Sequence, residues 1–114
     1  MTAVAVLAPG FTRVGAVDDV PLLEGRSVDV GGRRVAVFRV PAGWVATDAV
    51  CPHRGGPLQD GLVTEDCVTC PLHNRRFDLT TGGSNGPETV QVHEVDERNG
   101  ELWLRLAVRM PLAA

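Results

Sequence analysis

Three features of this 114-residue sequence predict an all-β fold, an antiparallel β-sandwich with a small loop-rich unit inserted into it. Short Val-rich runs recur between Gly or Pro residues, two of the junctions carry hairpin-type Gly-Gly and Asn-Gly pairs, and no stretch sustains a helical period. A chain of this length forms one domain, residues 1–114, and buries roughly two thirds of its unfolded surface.

Before residue 49 the strands are predicted over 12–17, 26–30, 33–40 and 43–48. Gly31-Gly32 reads as a two-residue hairpin turn between the second and third. Along 33–40, Val35, Val37 and Arg39 fall on one face and Ala36, Phe38 and Val40 on the other, so that strand is expected to be covered on both sides. Residues 18–24 suit one short helical turn. After residue 87 the runs 89–95 and 101–106 flank Arg98-Asn99-Gly100, where Asn-Gly is a strong hairpin signal. Leu102, Leu104 and Leu106 are expected to face the core, with Trp103 on the other face against a neighbouring strand. Residues 107–114 read as a loose tail.

Eleven arginines and no lysine stand against fourteen acidic residues, for a net charge of -3. This balance gives no reason to expect nucleic acid or an anionic membrane as partner and points to another protein. The absence of lysine, beside many Ala, Gly and Val, fits a GC-rich coding bias. The segment MTAVAVLAPGF lacks the basic start and the apolar run of a signal or a membrane span, so a cytoplasmic location is expected.

Residues 49–87 differ from their flanks, with four prolines (Pro52, Pro57, Pro71, Pro87) and repeated glycines. Two segments there carry the chemistry: Cys51-Pro52-His53 and Cys70-Pro71-Leu72-His73, separated by sixteen residues. Each offers one thiolate and one imidazole. The set suits a two-iron site with both cysteines on one iron and both histidines on the other, and tetrahedral zinc accepts the same donors. With Cys51 and Cys70 engaged as ligands, Cys67 is left without a disulfide partner, as in a reducing compartment.

The runs CPHRGG and CPLHNRRFD resemble the paired ligand boxes of the Rieske 2Fe-2S family. The resemblance covers nearly the whole chain and is most specific over 49–87. It implies a Rieske-type antiparallel β-sandwich with an inserted cluster-binding subdomain, a 2Fe-2S cluster on Cys51, His53, Cys70 and His73, and one-electron transfer with no substrate site in this chain. Imidazole ligation leaves such a cluster less negative than all-cysteine ligation and raises its potential. Gly55 and Gly56 are expected to let backbone pass close to the cluster sulfurs, and Gly86-Pro87 resembles a third loop covering the cluster.

High-potential members of the family carry a disulfide between the cluster loops and hydroxyl donors beside the second box. The matching positions here are Gly56 and Leu72 for the disulfide, and Arg75 and Phe77 for the hydroxyls, so the chain resembles the low-potential branch. That branch implies the small subunit of an assimilatory NAD(P)H nitrite reductase, working with a large sirohaem and flavin subunit, or a free ferredoxin passing electrons from a flavoprotein reductase to an oxygenase. GRSVDVGGRRVAVFRV and CPLHNRRFDLTTG resemble the first group. A structural zinc module is the alternative of another class.

Three further residue sets have two readings. Arg54, Arg75 and Arg76 form either a solvated patch or a basic rim for an acidic partner. Cys67 is a packing residue or a redox-sensitive thiol. His93, alone in a strand pattern, reads as a surface or hydrogen-bonded histidine rather than a ligand.

Overall fold

The computed structural model describes residues 10–53, 55–72 and 74–107; most of the expected tail lies outside them. Among the described residues nine strands form: β1 Thr12–Ala16, β2 Gly25–Val30, β3 Arg33–Val40, β4 Gly43–Asp48, β5 Leu62–Val63, β6 Cys67–Thr69, β7 Arg76–Asp78, β8 Val92–Arg98 and β9 Glu101–Arg105. Six are hydrogen-bonded in the order β1-β9-β8-β4-β3-β2 and three in the order β5-β6-β7, with every pairing antiparallel.

The six-stranded sheet folds over on itself. β4 and β8 meet through only Ala46↔His93 and Thr47↔Val92. Around that seam β1-β9-β8 swings over β4-β3-β2, and Val35, Val37, Ala46, Leu102 and Leu104 fill the space between. This is the sandwich expected from the alternating runs. Both hairpins form as predicted, with left-handed Gly31 and Gly32 at one turn and Asn99 and Gly100 at the other. Val30 pairs with Arg33 and Arg98 with Glu101, so each turn is the two-residue type whose twist matches its strands.

β3 is covered on both faces. Val35 and Val37 belong to the sandwich core, whereas Ala36, Phe38 and Val40 pack with Leu58, Val63, Val68, Phe77 and Leu79 from the inserted unit. Leu102 and Leu104 are buried and Leu106 packs against them, as expected. Trp103 is half-buried on the outer face, in register with Arg13 of β1 and Asp96 of β8.

Two predicted elements differ from the sequence reading by more than one residue, the strand expected over 89–95 and the helical turn expected over 18–24. β8 begins at Val92 rather than residue 89, because Val90 N–H donates to Gly82 O (2.8 Å) and Gln91 O accepts from Asp48 N–H (3.0 Å). Residues 89–91 thereby fasten the inserted unit to the sheet before β8 starts. The helical turn is a 3-10 segment at Val17–Asp19, overlapping only the start of the expected 18–24, with the Asp19 carboxylate accepting Ala16 N–H (3.0 Å). Among the described residues no helix is long and apolar enough to cross a membrane.

Candidate metal centre

The two ligand boxes fold into loops of the same design. Cys51 N–H donates to Gly56 O (2.8 Å) and Cys70 N–H to Arg75 O (2.7 Å), so each cysteine closes a loop onto the residue five positions later. Antiparallel pairs flank both loops, Val50↔Pro57 in one and Thr69↔Arg76 in the other. Each loop returns through a left-handed residue four positions past its cysteine, Gly55 (φ 76°) and Asn74 (φ 54°). Gly and Asn are the types that adopt this conformation at least cost. Aligning CPHRGG with CPLHNR on their cysteines puts Gly55 opposite Asn74, a signal the sequence reading did not use.

Within these loops the cysteines turn inward and the tips outward. Cys51 and Cys70 are each 1% exposed and are free thiols. Pro52, Pro71 and Leu72 are exposed. The thiols of Cys51 and Cys70 interact, and Leu72 N–H points at Cys70 Sγ (3.5 Å). Burial pushes the Cys70 thiol up from its usual range, the Leu72 N–H pulls it back, and the Cys51 side chain pushes it up again. Burial and the neighbouring thiol disfavour the Cys70 thiolate, and a positive charge such as ferric iron beside it would offset them. The donor set therefore fits an iron–sulfur cluster.

Of the four predicted ligands, the structure brings Cys51 and Cys70 together. His53 lies half-buried in the first loop with its Nδ1 buried. His73 lies outside the described residues, and among the described residues no three His, Cys, Asp or Glu side chains gather at one point.

The two loop glycines have different reasons. Gly55 needs its left-handed backbone, and a side chain there would meet nothing. Gly56 is not left-handed, but a Cβ on it would stand 2.8 Å from Cys70 Sγ and 3.1 Å from Leu72 Cγ. Positions 56 and 72 therefore abut. Gly61, read as an ordinary turn residue, also permits close approach, since a Cβ there would strike Thr69 O.

The expected basic rim is corrected at Arg75. Its side chain is 19% exposed and its Nε lies 3.1 Å from Glu88 Oε1, so it turns inward beneath the third loop rather than toward a partner. Arg76 is exposed, and Arg54 lies outside the described residues. Cys67 is half-buried on the outward face of β6, with Val68 inward. Burial pushes its thiol up, and Asp66 pushes it further.

His93 is hydrogen-bonded, as expected. Its side chain is fully buried, with Nε2 2.8 Å from Asp48 Oδ1 and Nδ1 accepting Ala107 N–H (2.9 Å). Because Nδ1 accepts, the proton sits on Nε2 and is donated to Asp48, which also holds Arg33 (2.7 Å).

Comparison with known proteins places residues 10–96 within the profile of the Rieske 2Fe-2S domain. The ferredoxin component of the naphthalene 1,2-dioxygenase/salicylate 5-hydroxylase systems of Ralstonia sp. is 37% identical over 65 residues, 57% of this chain and 62% of that protein. This chain thus matches less than two thirds of that relative's length. The nitrite reductase [NAD(P)H] of Emericella nidulans is 31% identical over 101 residues, 78% of this chain and 9% of that protein. A chain from the complex of reduced oxygenase and oxidized ferredoxin in carbazole 1,9a-dioxygenase superposes with a TM-score of 0.78 at 27% identity, covering 90% of this chain and 100% of that one.

Proposed function

This chain belongs to the Rieske 2Fe-2S family, and from that membership we propose that Cys51 and Cys70 ligate one iron of its cluster and His53 and His73 the other. The cofactor is a 2Fe-2S cluster rather than zinc, and it supplies single-electron oxidation and reduction. One observation carries the ligand assignment: two loops of matching hydrogen-bond design hold a buried pair of thiols behind an exposed tip. Burial keeps water from the sulfurs, while Pro52, Pro71 and Leu72 are exposed at the loop tips and offer a partner a close approach. The chain's part is to hold the cluster, exclude water and present that tip. Iron and acid-labile sulfide near two each per chain are expected, and loss of both on Cys70→Ser; stoichiometric zinc in iron-replete preparations refutes the assignment.

The partner in this reading is the large subunit of an assimilatory NAD(P)H nitrite reductase, which carries flavin and sirohaem and reduces nitrite to ammonium. The 101-residue alignment with the Emericella nidulans enzyme supports it, as do the segments 25–40 and 70–82. The test is to purify the chain with its candidate large subunit and follow NAD(P)H-dependent nitrite loss, comparing wild type with His73→Ala. Association and a slower variant are expected. The second reading, a free ferredoxin serving an oxygenase, is favoured by the higher identity to the Ralstonia ferredoxin component. Failure to associate, together with efficient reduction of an oxygenase, establishes it instead.

A further inference from the structure

We propose that Arg75 is a positioning residue for the second cysteine loop, a latch that fixes the Cys70 backbone by locking its own loop under residues 84–88. Four observations converge on it. The Arg75 carbonyl accepts the Cys70 N–H at 2.7 Å, so any shift of Arg75 is felt at the cysteine. Its guanidinium is sheltered, with Arg75 and Glu88 side chains 19% and 24% exposed and 3.1 Å apart, whereas an arginine without a structural task leaves its charge in water.

Gly86 supplies the third observation. It is not left-handed, yet a Cβ there would fall inside the Arg75 guanidinium, with Cζ at 2.5 Å. Glycine at 86 therefore serves space, and the space is filled by Arg75. Fourth, the covering loop is itself stiff. Ser84 Oγ lies 2.6 Å from Glu88 O and 3.1 Å from Gly86 O and accepts Gly86 N–H at 3.1 Å. Asn85 is bonded both ways to the Arg76 backbone, at 3.1 and 3.2 Å. A stiff cover, a filled niche and an ion pair hold Arg75, and Arg75 holds the loop from which Leu72 N–H reaches Cys70 Sγ.

The inference rests on the ligand assignment proposed above, and iron and sulfide per wild-type chain test that assignment separately. Three variants test the latch in the cluster-loaded protein: Arg75→Ala, Gly86→Ala and both together. Cluster loss to a chelator is expected to speed up roughly 10- to 100-fold in each single variant, the range for residues that orient metal ligands. Hydrogen exchange across residues 70–77 is expected to rise in parallel, and it reads the latch whatever the iron content. In the Arg75→Ala background the methyl at 86 has room, so Gly86→Ala adds nothing further.

Glu88→Gln is the milder variant. Removing a negative charge alone raises the midpoint potential, whereas loosening the Leu72 N–H from Cys70 Sγ lowers it. A downward shift in Glu88→Gln is therefore the signature of the latch. Multiplying losses in the double variant, wild-type exchange in Arg75→Ala, or an upward shift in Glu88→Gln overturns it.

Discussion

Replacing Gly56 by Ala separates holding the cluster from holding the fold, because Gly56 lies against both cysteines. Its carbonyl accepts the Cys51 N–H at 2.8 Å, and the added methyl would stand 2.8 Å from Cys70 Sγ. Ordinary contact between heavy atoms begins at about 3.5–4.0 Å, so sulfur and methyl must separate by roughly 1 Å. Cys70 is 1% exposed and packs with Phe77 and Leu79, and the other side of the methyl faces Leu72. Overpacking of this kind costs about 1–3 kcal/mol. If that strain falls on the cluster-bound geometry, retention weakens about 5- to 150-fold.

The assay measures iron and acid-labile sulfide per chain and the rate of bleaching by a chelator, beside urea unfolding. Gly31→Ala is the control. Gly31 is left-handed (φ 57°) with nothing near an added Cβ, so it loses about 1–2 kcal/mol of fold stability to backbone strain and leaves cluster retention unchanged. A Gly56→Ala protein that keeps full iron and sulfide and bleaches at the wild-type rate refutes the steric reasoning.

The midpoint potential is expected near the low end of the Rieske range, roughly -150 mV by voltammetry, because Gly56 and Leu72, which abut, offer no thiols to bridge the two loops; a value near +300 mV contradicts this. Alkylation of Cys67 is expected to be slow at neutral pH and to accelerate with rising pH beyond the usual thiol range, since burial and then Asp66 favour the protonated thiol. Mass spectrometry showing faster modification than a free cysteine peptide at pH 7 excludes that environment. His93→Ala strips Asp48 of one partner and leaves Ala107 N–H without its acceptor, so it is expected to cost about 2–4 kcal/mol in urea unfolding. An unchanged urea midpoint rules out a stabilising role for these His93 hydrogen bonds.

Legibility in the sequence followed the range of the interactions. The alternation along residues 33–40 is a local pattern with a global cause, and the two cores on either side of β3 match it residue by residue. Gly31-Gly32 and Asn99-Gly100 encode turns by their own torsions. The cysteines were legible as a pair because their chemistry is rare. Arg75 was not, because nothing near it in the chain reveals that Gly86 leaves a niche for it and Glu88 a counter-charge. The late start of β8 is of the same kind, since residues 89–91 are extended but bonded to Gly82 and Asp48 rather than to a strand partner along their length.

The inserted unit has strands of only two or three residues, Leu62–Val63, Cys67–Thr69 and Arg76–Asp78, and a sheet of that size does not stand by itself in water. What holds it is the outer face of β3, where Ala36, Phe38 and Val40 meet Leu58, Val68 and Phe77 in one continuous core that also contains Cys51 and Cys70. The cysteines thus sit at the far edge of a core whose near edge is the sandwich. Strand pairing fixes β3, β3 fixes the small sheet, and the small sheet fixes the mouths of both loops. Only the tips lie beyond that chain of contacts, so they depend on local devices: a left-handed residue in each loop, the Gly56 contact and the Arg75 pair. A cluster held by residues of both loops would add metal–ligand bonds to the Gly56–Leu72 and Cys51–Cys70 contacts that already join them, so its loss is expected to be felt first in the loops and last in the sandwich.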